Sequence, residues 1–129
     1  MSDFSDATYE WEHFTAESGA DPIKKAISKA KLSRREAAGL VNILERVARN
    51  EALPGDVKQL RGRIWEVRLS GDGTRIFRLL YARSSSDAHL VLLGLQFFQK
   101  KSAKCPPADI KRAEKRLAEW ERRDWPGSE

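Results

Sequence analysis

The stretch that decides the fold is residues 64–82, which read IWEVRLSGDGTRIFRLLYA. Apolar and polar residues alternate over its first six positions, which predicts a β-strand with Glu66 and Arg68 on the polar face. The next four residues, SGDG, are typical of a turn, and the remainder predicts a second strand. We therefore expect an antiparallel β-hairpin.

The register of this hairpin decides which charged residues share a face. A three-residue loop at residues 71–73 would place Glu66 opposite Arg78, and the lone charge of the second strand would then have an ion-pair partner. A two- or four-residue loop would shift the pairing by one residue and send Arg68 and Arg78 to opposite faces. The sequence leaves open whether Arg78 is held in a structural ion pair or faces a functional cleft.

Regularly spaced apolar residues predict two helices before the hairpin. Asp21-Pro22 opens a short helix, because Asp is a good cap and proline suits the first helical position. Residues 33–36, SRRE, have the spacing of a capping box, and an apolar stripe continues from them to Asn50. Since the link between the two helices is short, we expect an antiparallel helical hairpin that lies on the sheet.

Two further elements are expected after the hairpin. Residues 84–87, SSSD, are typical of a turn, and residues 89–98 are apolar on both faces, as in a covered central strand. Pro106-Pro107 ends the sheet, and the spacing of apolar residues after it predicts a third helix.

These elements predict an α+β fold, in which two N-terminal helices and a C-terminal helix pack on a mostly antiparallel sheet of three to four strands. The fourth strand would come from the region of Tyr9 and Trp11. At 129 residues the chain is expected to form one domain, residues 1–129, with disorder at residues 1–8 and 122–129.

The composition excludes several classes of site. The single Cys has no partner for a disulfide, and two His residues are too few for a zinc site of the usual spacing. The longest apolar run, residues 90–95, is far shorter than the roughly 20 residues that span a bilayer, and the N-terminal segment is acidic. We therefore expect a cytoplasmic protein with no metal, no cofactor and no membrane partner.

The positive charge is concentrated in the middle of the chain. Residues 1–57 hold 8 bases and 10 acids, residues 58–104 hold 10 bases and 3 acids, and residues 105–129 hold 6 of each. The middle block thus carries +7, against +5 for the whole chain. Such a block indicates a polyanionic partner such as a nucleic acid. The alternatives are a solvated basic face and a docking surface for an acidic protein.

The end of this block combines aromatic and basic residues. Residues 96–104 read QFFQKKSAK, where an exposed Phe offers a stacking surface for a base and the lysines suit a phosphate backbone. Arg68, Arg75 and Arg78 on the neighbouring strands strengthen this interpretation. The chain has no glycine-rich phosphate loop, no G-x-S-x-G elbow, no H-E-x-x-H and no EF-hand loop, so the corresponding enzyme classes are excluded.

Three segments follow one another in a recognisable order. They are residues 60–69, LRGRIWEVRL, residues 75–81, RIFRLLY, and residues 93–101, LGLQFFQKK, with Lys-Cys-Pro at 104–106. In this order they resemble the RelE/HigB toxin superfamily, nearest the HigB branch that includes phage-derived members. The resemblance extends over roughly residues 9–120 and implies the small RelE-like fold.

The resemblance also implies a function. Members of this type are toxins of type II toxin–antitoxin systems, which cut mRNA on the ribosome, inhibit translation and arrest growth. A cognate antitoxin, expected here to be a helix-turn-helix protein, holds the toxin inactive. The implied chemistry is attack of a ribose 2′-hydroxyl on the adjacent phosphate, without a metal, to leave a cyclic phosphate.

Site residues carry over by position. Arg68 and Arg78 match the phosphate-binding cations of the family, and Lys100 and Lys101 match the basic segment that closes the site, so these four are the expected catalytic residues. The further residues expected to bind nucleic acid are Arg61, Arg63, Arg75, Gln96, Phe98 and Lys104.

One catalytic role has no candidate. No Tyr or His follows the last strand, where several relatives keep a candidate general acid or base, and Tyr81 and His89 lie elsewhere. Gln96 can orient a substrate but cannot take a proton, and a Lys is a poor base unless its pKa is lowered. The general base is therefore unassigned.

Two alternative functions remain open. A toxin of the same fold can act on DNA gyrase without cutting RNA, and a basic module can hold phosphates without catalysis. If the protein is a toxin, we expect its antitoxin to cover the basic cleft or the first helix pair, because an acidic partner would neutralise the +7 block.

Overall fold

The computed structural model describes residues 9–86, 89–101 and 103–123. In chain order its elements are β1 (Glu10–His13), α1 (Pro22–Ala30), α2 (Arg34–Ala48), β2 (Val57–Arg61), β3 (Ile64–Ser70), β4 (Ile76–Ser86), β5 (His89–Gln99) and α3 (Pro107–Glu121). The strands form one sheet in the order β1-β5-β4-β3-β2. The β1–β5 pair is parallel and the other neighbouring pairs are antiparallel. The α+β class and the three helices are confirmed, whereas the sheet has five strands and not three to four.

The extra strand is β2, which the sequence analysis missed. Its sequence, VKQLR, is mostly polar, and its residues are exposed or half-buried. Because β2 lies at the edge of the sheet beside β3, it needs no alternation of apolar residues. The short first strand expected near Tyr9 and Trp11 is confirmed as β1, at the opposite edge.

The β3–β4 hairpin is confirmed, but with a longer loop than expected. Ser70 pairs with Ile76 and Arg68 pairs with Arg78, so the loop holds five residues, 71–75, and Glu66 lies opposite Leu80. The direct pairing of Glu66 with Arg78 was therefore wrong. A shift of two residues preserves the alternation of faces, so Glu66, Arg68 and Arg78 still lie on the same face.

The far end of β4 also differs from the prediction. Ser84, Ser85 and Ser86 pair with β5, so residues that were predicted to form a turn extend the strand. Serine is compatible with a turn and with a β-strand, and pairing with the apolar strand β5 favours the strand here. The remaining predicted turn residue, Asp87, lies outside the described residues.

A β-bulge interrupts β5 beside β4. Leu80 pairs with Gln96, whereas Tyr81 pairs with Gly94, so Leu95 is an extra residue on β5. The carbonyl of Leu95 accepts a hydrogen bond from Arg116 Nη1 at 2.7 Å. A bulge leaves a ladder group without its usual strand partner, and a side chain of α3 satisfies it here.

Helices cover both faces of the sheet. We call the face that carries Val67, Leu69 and Phe77 the α2 face, because a Cβ at Gly39 of α2 would lie 3.4 Å from Leu69. We call the opposite face, with Glu66, Arg68, Arg78, Gln96 and Phe98, the α3 face. α1 packs against β5, α2 against β3 and β1, and α3 against β5, β4 and β3. The helices thus have their main contacts with the sheet, and α1 and α2 do not pack chiefly on each other as the predicted helical hairpin would.

The helix ends follow the capping chemistry of the sequence. The Asp21 side chain accepts a hydrogen bond from the Lys24 backbone N–H, and the capping box between Ser33 and Glu36 is present. α2 ends at Ala48, two residues before the predicted end, and Asn50 adopts a left-handed backbone with φ of 58°.

The C-terminal end of α3 is also tied down. Arg122 terminates the helix, and Arg123 forms an ion pair with Glu119 at 3.3 Å. The other terminal residues for which disorder is expected, 1–8 and 124–129, lie outside the described residues.

Glu36 joins the start of α2 to the β3–β4 loop. Its carboxylate is buried, at 2% exposure, and accepts hydrogen bonds from the backbone N–H groups of Ser33 at 2.9 Å and Asp72 at 2.7 Å. Arg75 lies 3.3 Å away as an ion-pair partner. These two backbone hydrogen bonds, and then the charge of Arg75, lower the pKa of Glu36. Gly71 is required beside them, because a Cβ there would collide with the carboxylate.

We expect Glu36→Gln to reduce the free energy of unfolding at pH 7 and to flatten its acid dependence. A carboxyl with a lowered folded-state pKa stabilises the fold above its unfolded value of about 4.3, and this contribution is lost as the pH falls through the folded value. Urea unfolding between pH 3 and pH 7 measures the effect. Glu45→Gln, an exposed change on the same helix, is the control, and equal behaviour of the two variants would contradict the assignment.

Candidate functional site

Three of the predicted site residues form one row across the α3 face. Arg68 of β3 pairs directly with Arg78 of β4, which pairs directly with Phe98 of β5. Directly opposite side chains of antiparallel strands lie on the same face, about 5 Å apart at Cβ. The sheet therefore brings together two guanidinium groups and an aromatic ring, and we call this set the Arg-Arg-Phe row.

Arg78 is buried within this row. Its side chain is 4% exposed, its Nε lies 3.4 Å from Oε2 of the buried Glu66, and its Nη2 donates to the Ala103 carbonyl at 2.8 Å. Among the described residues, Nε and Nη1 of Arg78 and Oε2 of Glu66 have no hydrogen-bond partner. The two groups thus attract each other as charges without an aligned hydrogen bond. The ion pair predicted as one alternative exists, formed diagonally across the strands.

The chain after β5 passes over Arg78. The Lys100 backbone N–H donates to the Ile76 carbonyl at 2.7 Å, which keeps this chain beside the start of β4. The Ala103 carbonyl then covers Arg78, and Cys105 follows, half-buried. Burial and the nearby charge of Glu66 raise the pKa of the Cys105 thiol. The thiol is therefore held in its neutral form next to the ion pair.

The predicted lysines lie on this same stretch. Lys100 is half-buried and stands two residues after Phe98, about 7 Å along an extended chain. Lys101 and Lys104 are exposed. The chain that carries these three cations thus continues from the Phe98 end of the Arg-Arg-Phe row, and their role in the site stays a prediction.

Arg68 is the accessible cation of the row. Its side chain is exposed and has no hydrogen-bond or ion-pair partner within the part of the chain that the structure describes. The charge of Arg68 is consequently available to an incoming anion, whereas the charge of Arg78 is compensated by Glu66.

Gln96 lies two residues before Phe98 on β5, also on the α3 face, and side chains of α3 hold it in place. Its Nε2 donates to Asp109 Oδ1 at 2.8 Å, and its Oε1 accepts from Arg116 Nη1 at 2.6 Å. Both ends of the amide are therefore used inside the protein. Sequence reasoning missed Arg116, because nothing in the spacing of α3 shows that this residue reaches back to β5.

The remaining predicted arginines are engaged elsewhere. Arg61 pairs with Glu114 at 2.6 Å, and Arg63 pairs with Glu121 at 2.7 Å, both on α3. Arg75 lies towards α1 and α2, where its Nη2 donates to the Ala30 carbonyl at 2.7 Å and its guanidinium stacks 4.8 Å over Phe77. The structure does not bring these three residues to the Arg-Arg-Phe row, and their role in nucleic-acid binding stays a prediction.

None of the side chains His13, His89 and Tyr81 lies in the Arg-Arg-Phe row. His13 lies at the β1 edge and contacts Asp21 at 2.8 Å. His89 begins β5, nine residues before Phe98, which is about 30 Å along the strand. Tyr81 is buried against Trp11, and its burial raises its pKa to about 12. The carboxylate closest to Arg78 is Glu66, which is buried with it.

No group of three or more His, Cys, Asp or Glu side chains in residues 9–86, 89–101 and 103–123 is placed to hold a metal ion. Within the same ranges, no helix has the length and apolar character needed to cross a bilayer.

Comparison with known proteins identifies one family. A family model described as "Phage derived protein Gp49-like (DUF891)" matches residues 28–118. The matched range begins within α1 and ends within α3, so it contains the whole Arg-Arg-Phe row. No curated protein matches the chain.

We expect Glu66→Gln to lower the free energy of unfolding by about 3–5 kcal/mol, because it leaves the charge of Arg78 buried and uncompensated. Replacing both partners, Glu66→Leu with Arg78→Met, is expected to recover most of this loss. Urea unfolding at pH 7 measures both effects. The exposed Arg68→Gln change is the control, with an expected effect within about 0.5 kcal/mol. Similar losses for Glu66→Gln and Arg68→Gln would contradict the buried ion pair.

Proposed function

The chain belongs to the Gp49-like family of phage-derived proteins, and from this premise we propose that it is the toxin component of a type II toxin–antitoxin system. The proposed activity is cleavage of mRNA on the ribosome, which inhibits translation and arrests growth in the cytoplasm. The observation that carries the proposal is the Arg-Arg-Phe row on the α3 face, with Lys100 and Lys101 beside it. The resemblance to the RelE/HigB superfamily points to the same activity.

The proposed reaction is transfer of a phosphodiester within the RNA. The ribose 2′-oxygen attacks the adjacent phosphorus, the bond to the 5′-oxygen of the next nucleotide breaks, and the products are a 2′,3′-cyclic phosphate and a 5′-hydroxyl. The proton of the 2′-hydroxyl leaves, and the departing 5′-oxygen receives one. Negative charge develops on the phosphate oxygens in between, and fixed cations lower the barrier by stabilising it.

Each residue of the row has a separate proposed role in this reaction. Arg68, which is exposed, binds the phosphate from solvent, and Phe98 offers a ring on which a neighbouring base stacks. Arg78 contributes through Nη1, for which the described part of the chain holds no hydrogen-bond partner. Lys100 and Lys101 hold the flanking phosphates, as point charges on flexible stems.

The proposal assigns no residue as general base. His13, His89 and Tyr81 are not at the row, and Glu66 is occupied by Arg78. The rate is attributed to charge stabilisation and to positioning, for which the ribosome orients the mRNA. No cofactor enters the reaction.

A second candidate function is a binding module that holds phosphates without cutting RNA. The specific observation in its favour is the 4% exposure of Arg78, together with the absence of His13, His89 and Tyr81 from the row. The same experiment distinguishes it from the nuclease.

We expect Arg68→Ala to reduce mRNA cleavage by about 10²–10³-fold, because it removes one charge that stabilises the transition state. The measurement is primer extension on mRNA from cells after induction, supported by cleavage on purified ribosomes. Arg34→Ala, an exposed change at the start of α2, is the matched control and should cleave like the unchanged protein. Arg68 is exposed, so its loss should leave the fold intact.

The other outcomes of this experiment are equally informative. Growth arrest with intact transcripts would contradict the nuclease and favour action on a target such as DNA gyrase. Intact transcripts without arrest would favour the binding module. A small helix-turn-helix reading frame beside the gene would support the toxin assignment in every case.

We expect the antitoxin to present an acidic surface to the Arg-Arg-Phe row, so that its affinity falls as salt rises. Arg68→Glu should then weaken the complex at least tenfold, whereas Arg34→Glu on α2 should not. Titration calorimetry at two salt concentrations measures both. Loss of affinity in Arg34→Glu alone would place the antitoxin on the first helix pair, and an affinity independent of salt would contradict electrostatic neutralisation.

A further inference from the structure

A basic groove separates the start of α1 from α3, outside the Arg-Arg-Phe row. It has a volume of about 460 Å³, and Phe14 lies at its base. Four of its lining residues are cations: Lys25 comes from α1, and Arg112, Lys115 and Arg116 come from α3. We call this feature the α1–α3 groove.

The acids of the groove are already committed to partners. The Asp21 side chain caps α1 by accepting from Lys24 N at 2.9 Å and contacts His13 at 2.8 Å. Glu119 is paired with Arg123 at 3.3 Å. Lys25, Arg112 and Lys115 are exposed and have no ion-pair partner among the described residues. The groove therefore carries positive charge that its own carboxylates do not cancel.

Arg116 is a fixed cation in this groove. Its Nη1 donates to the Leu95 carbonyl and to Gln96 Oε1, both neutral acceptors, and its guanidinium lies 5.7 Å over the Phe14 ring. Burial and the adjacent positive charge of Arg112 lower the pKa of Arg116. Glu119 on the same flank acts on the pKa of Arg116 in the opposite direction, but it pairs with Arg123, and neither Arg112 nor Arg116 has an ion-pair partner among the described residues. An anion that both guanidinium groups can contact would therefore stabilise them.

The opposite flank of α3 explains why these bases are uncovered. Glu114 and Glu121 face the β2–β3 edge and are used by Arg61 and Arg63. Successive turns of a helix place residues three and four apart on one side, so Glu114 and Glu121 lie on one flank, whereas Arg112, Lys115 and Arg116 lie on the other together with a single acid, Glu119. The helix has equal numbers of acidic and basic residues, but they are distributed unequally between its two flanks.

We propose that the α1–α3 groove binds phosphate groups of an RNA backbone, as a second contact beyond the Arg-Arg-Phe row. Arginine forks suit phosphate oxygens, and Arg116 contacts Gln96, which is two residues from Phe98 on β5. RNA held on the row thus passes close to the groove. The choice of RNA over an acidic peptide rests on the proposed function, whereas the anion site itself rests on the uncompensated cations.

The test measures binding of a 20-nucleotide 2′-O-methyl RNA, which keeps the phosphate backbone but has no 2′-hydroxyl and resists cleavage. We expect Arg112→Glu with Lys115→Glu to weaken binding at least tenfold. The slope of log K against log salt should also fall by about 1.4, since each lost phosphate contact on a single strand contributes about 0.7. Fluorescence anisotropy between 50 and 300 mM salt gives both quantities, and circular dichroism melting verifies the fold.

The matched control is Arg34→Glu with Arg35→Glu, the same charge change at exposed positions of α2. Equal weakening by the two double variants would overturn the proposal, because general charge would then explain the binding. Unchanged RNA binding in the groove variant would also overturn it, and loss of antitoxin binding alongside would identify an acidic peptide as the ligand.

The outcome is separable from that of the proposed function. Arg68→Ala should retain binding at the groove and lower the RNA affinity less than the groove variant does. Complete loss of RNA binding in Arg68→Ala would overturn the proposal of a second contact. The probe is not cleaved and no ribosome is present. A protein that fails to cut mRNA but shows the groove effect would therefore contradict the nuclease and leave this proposal supported.

Discussion

The buried ion pair between Glu66 and Arg78 is the constraint on which the candidate site depends. Two charges inside a sheet must compensate each other, because each alone would bear a desolvation cost of several kcal/mol. The pair is formed diagonally between β3 and β4, and the Ala103 carbonyl covers it from above. It thereby keeps Arg78 in place beneath the chain that carries the lysines, while Arg68 in the same row stays open to solvent.

Much of the fold follows from periodicity, but the hairpin register does not. The apolar alternation and the capping box predicted the hairpin and the helices, yet the loop holds five residues because it folds on tertiary contacts. Asp72 donates to Glu36 of α2, and Arg75 pairs with the same carboxylate. Neither contact is visible in the local sequence. The edge strand β2 was missed for a related reason, since an exposed strand needs no apolar pattern.

The charge distribution shows a similar limit of sequence reasoning. The +7 block was read as one basic surface, whereas Arg61 and Arg63 are paired with acids of α3, a helix that is neutral in sequence. The sheet register brings Arg68, Arg78 and Phe98 into one row, whereas their role in a site stays a prediction. The basic groove beside α3 was not foreseen, since it depends on the pairing of Glu114 and Glu121 with arginines on the other flank of that helix.

The extra residue Leu95 reverses, at the bulge, which residues of β5 lie on each face of the sheet. Before the bulge Leu93 pairs with Ala82, and after it Gln96 pairs with Leu80, so odd-numbered residues lie on the α3 face in one half and even-numbered residues in the other. The pattern of residues that face the core is therefore set separately in the two halves of the strand, and only the half after the bulge carries the candidate site. Loss of Leu95 would leave a regular ladder in which Gln96 still pairs with Leu80 and Phe98 with Arg78, but it would remove the carbonyl that accepts from Arg116 of α3. The bulge therefore serves the attachment of α3 to the sheet, whereas the alignment of the Arg-Arg-Phe row does not depend on it.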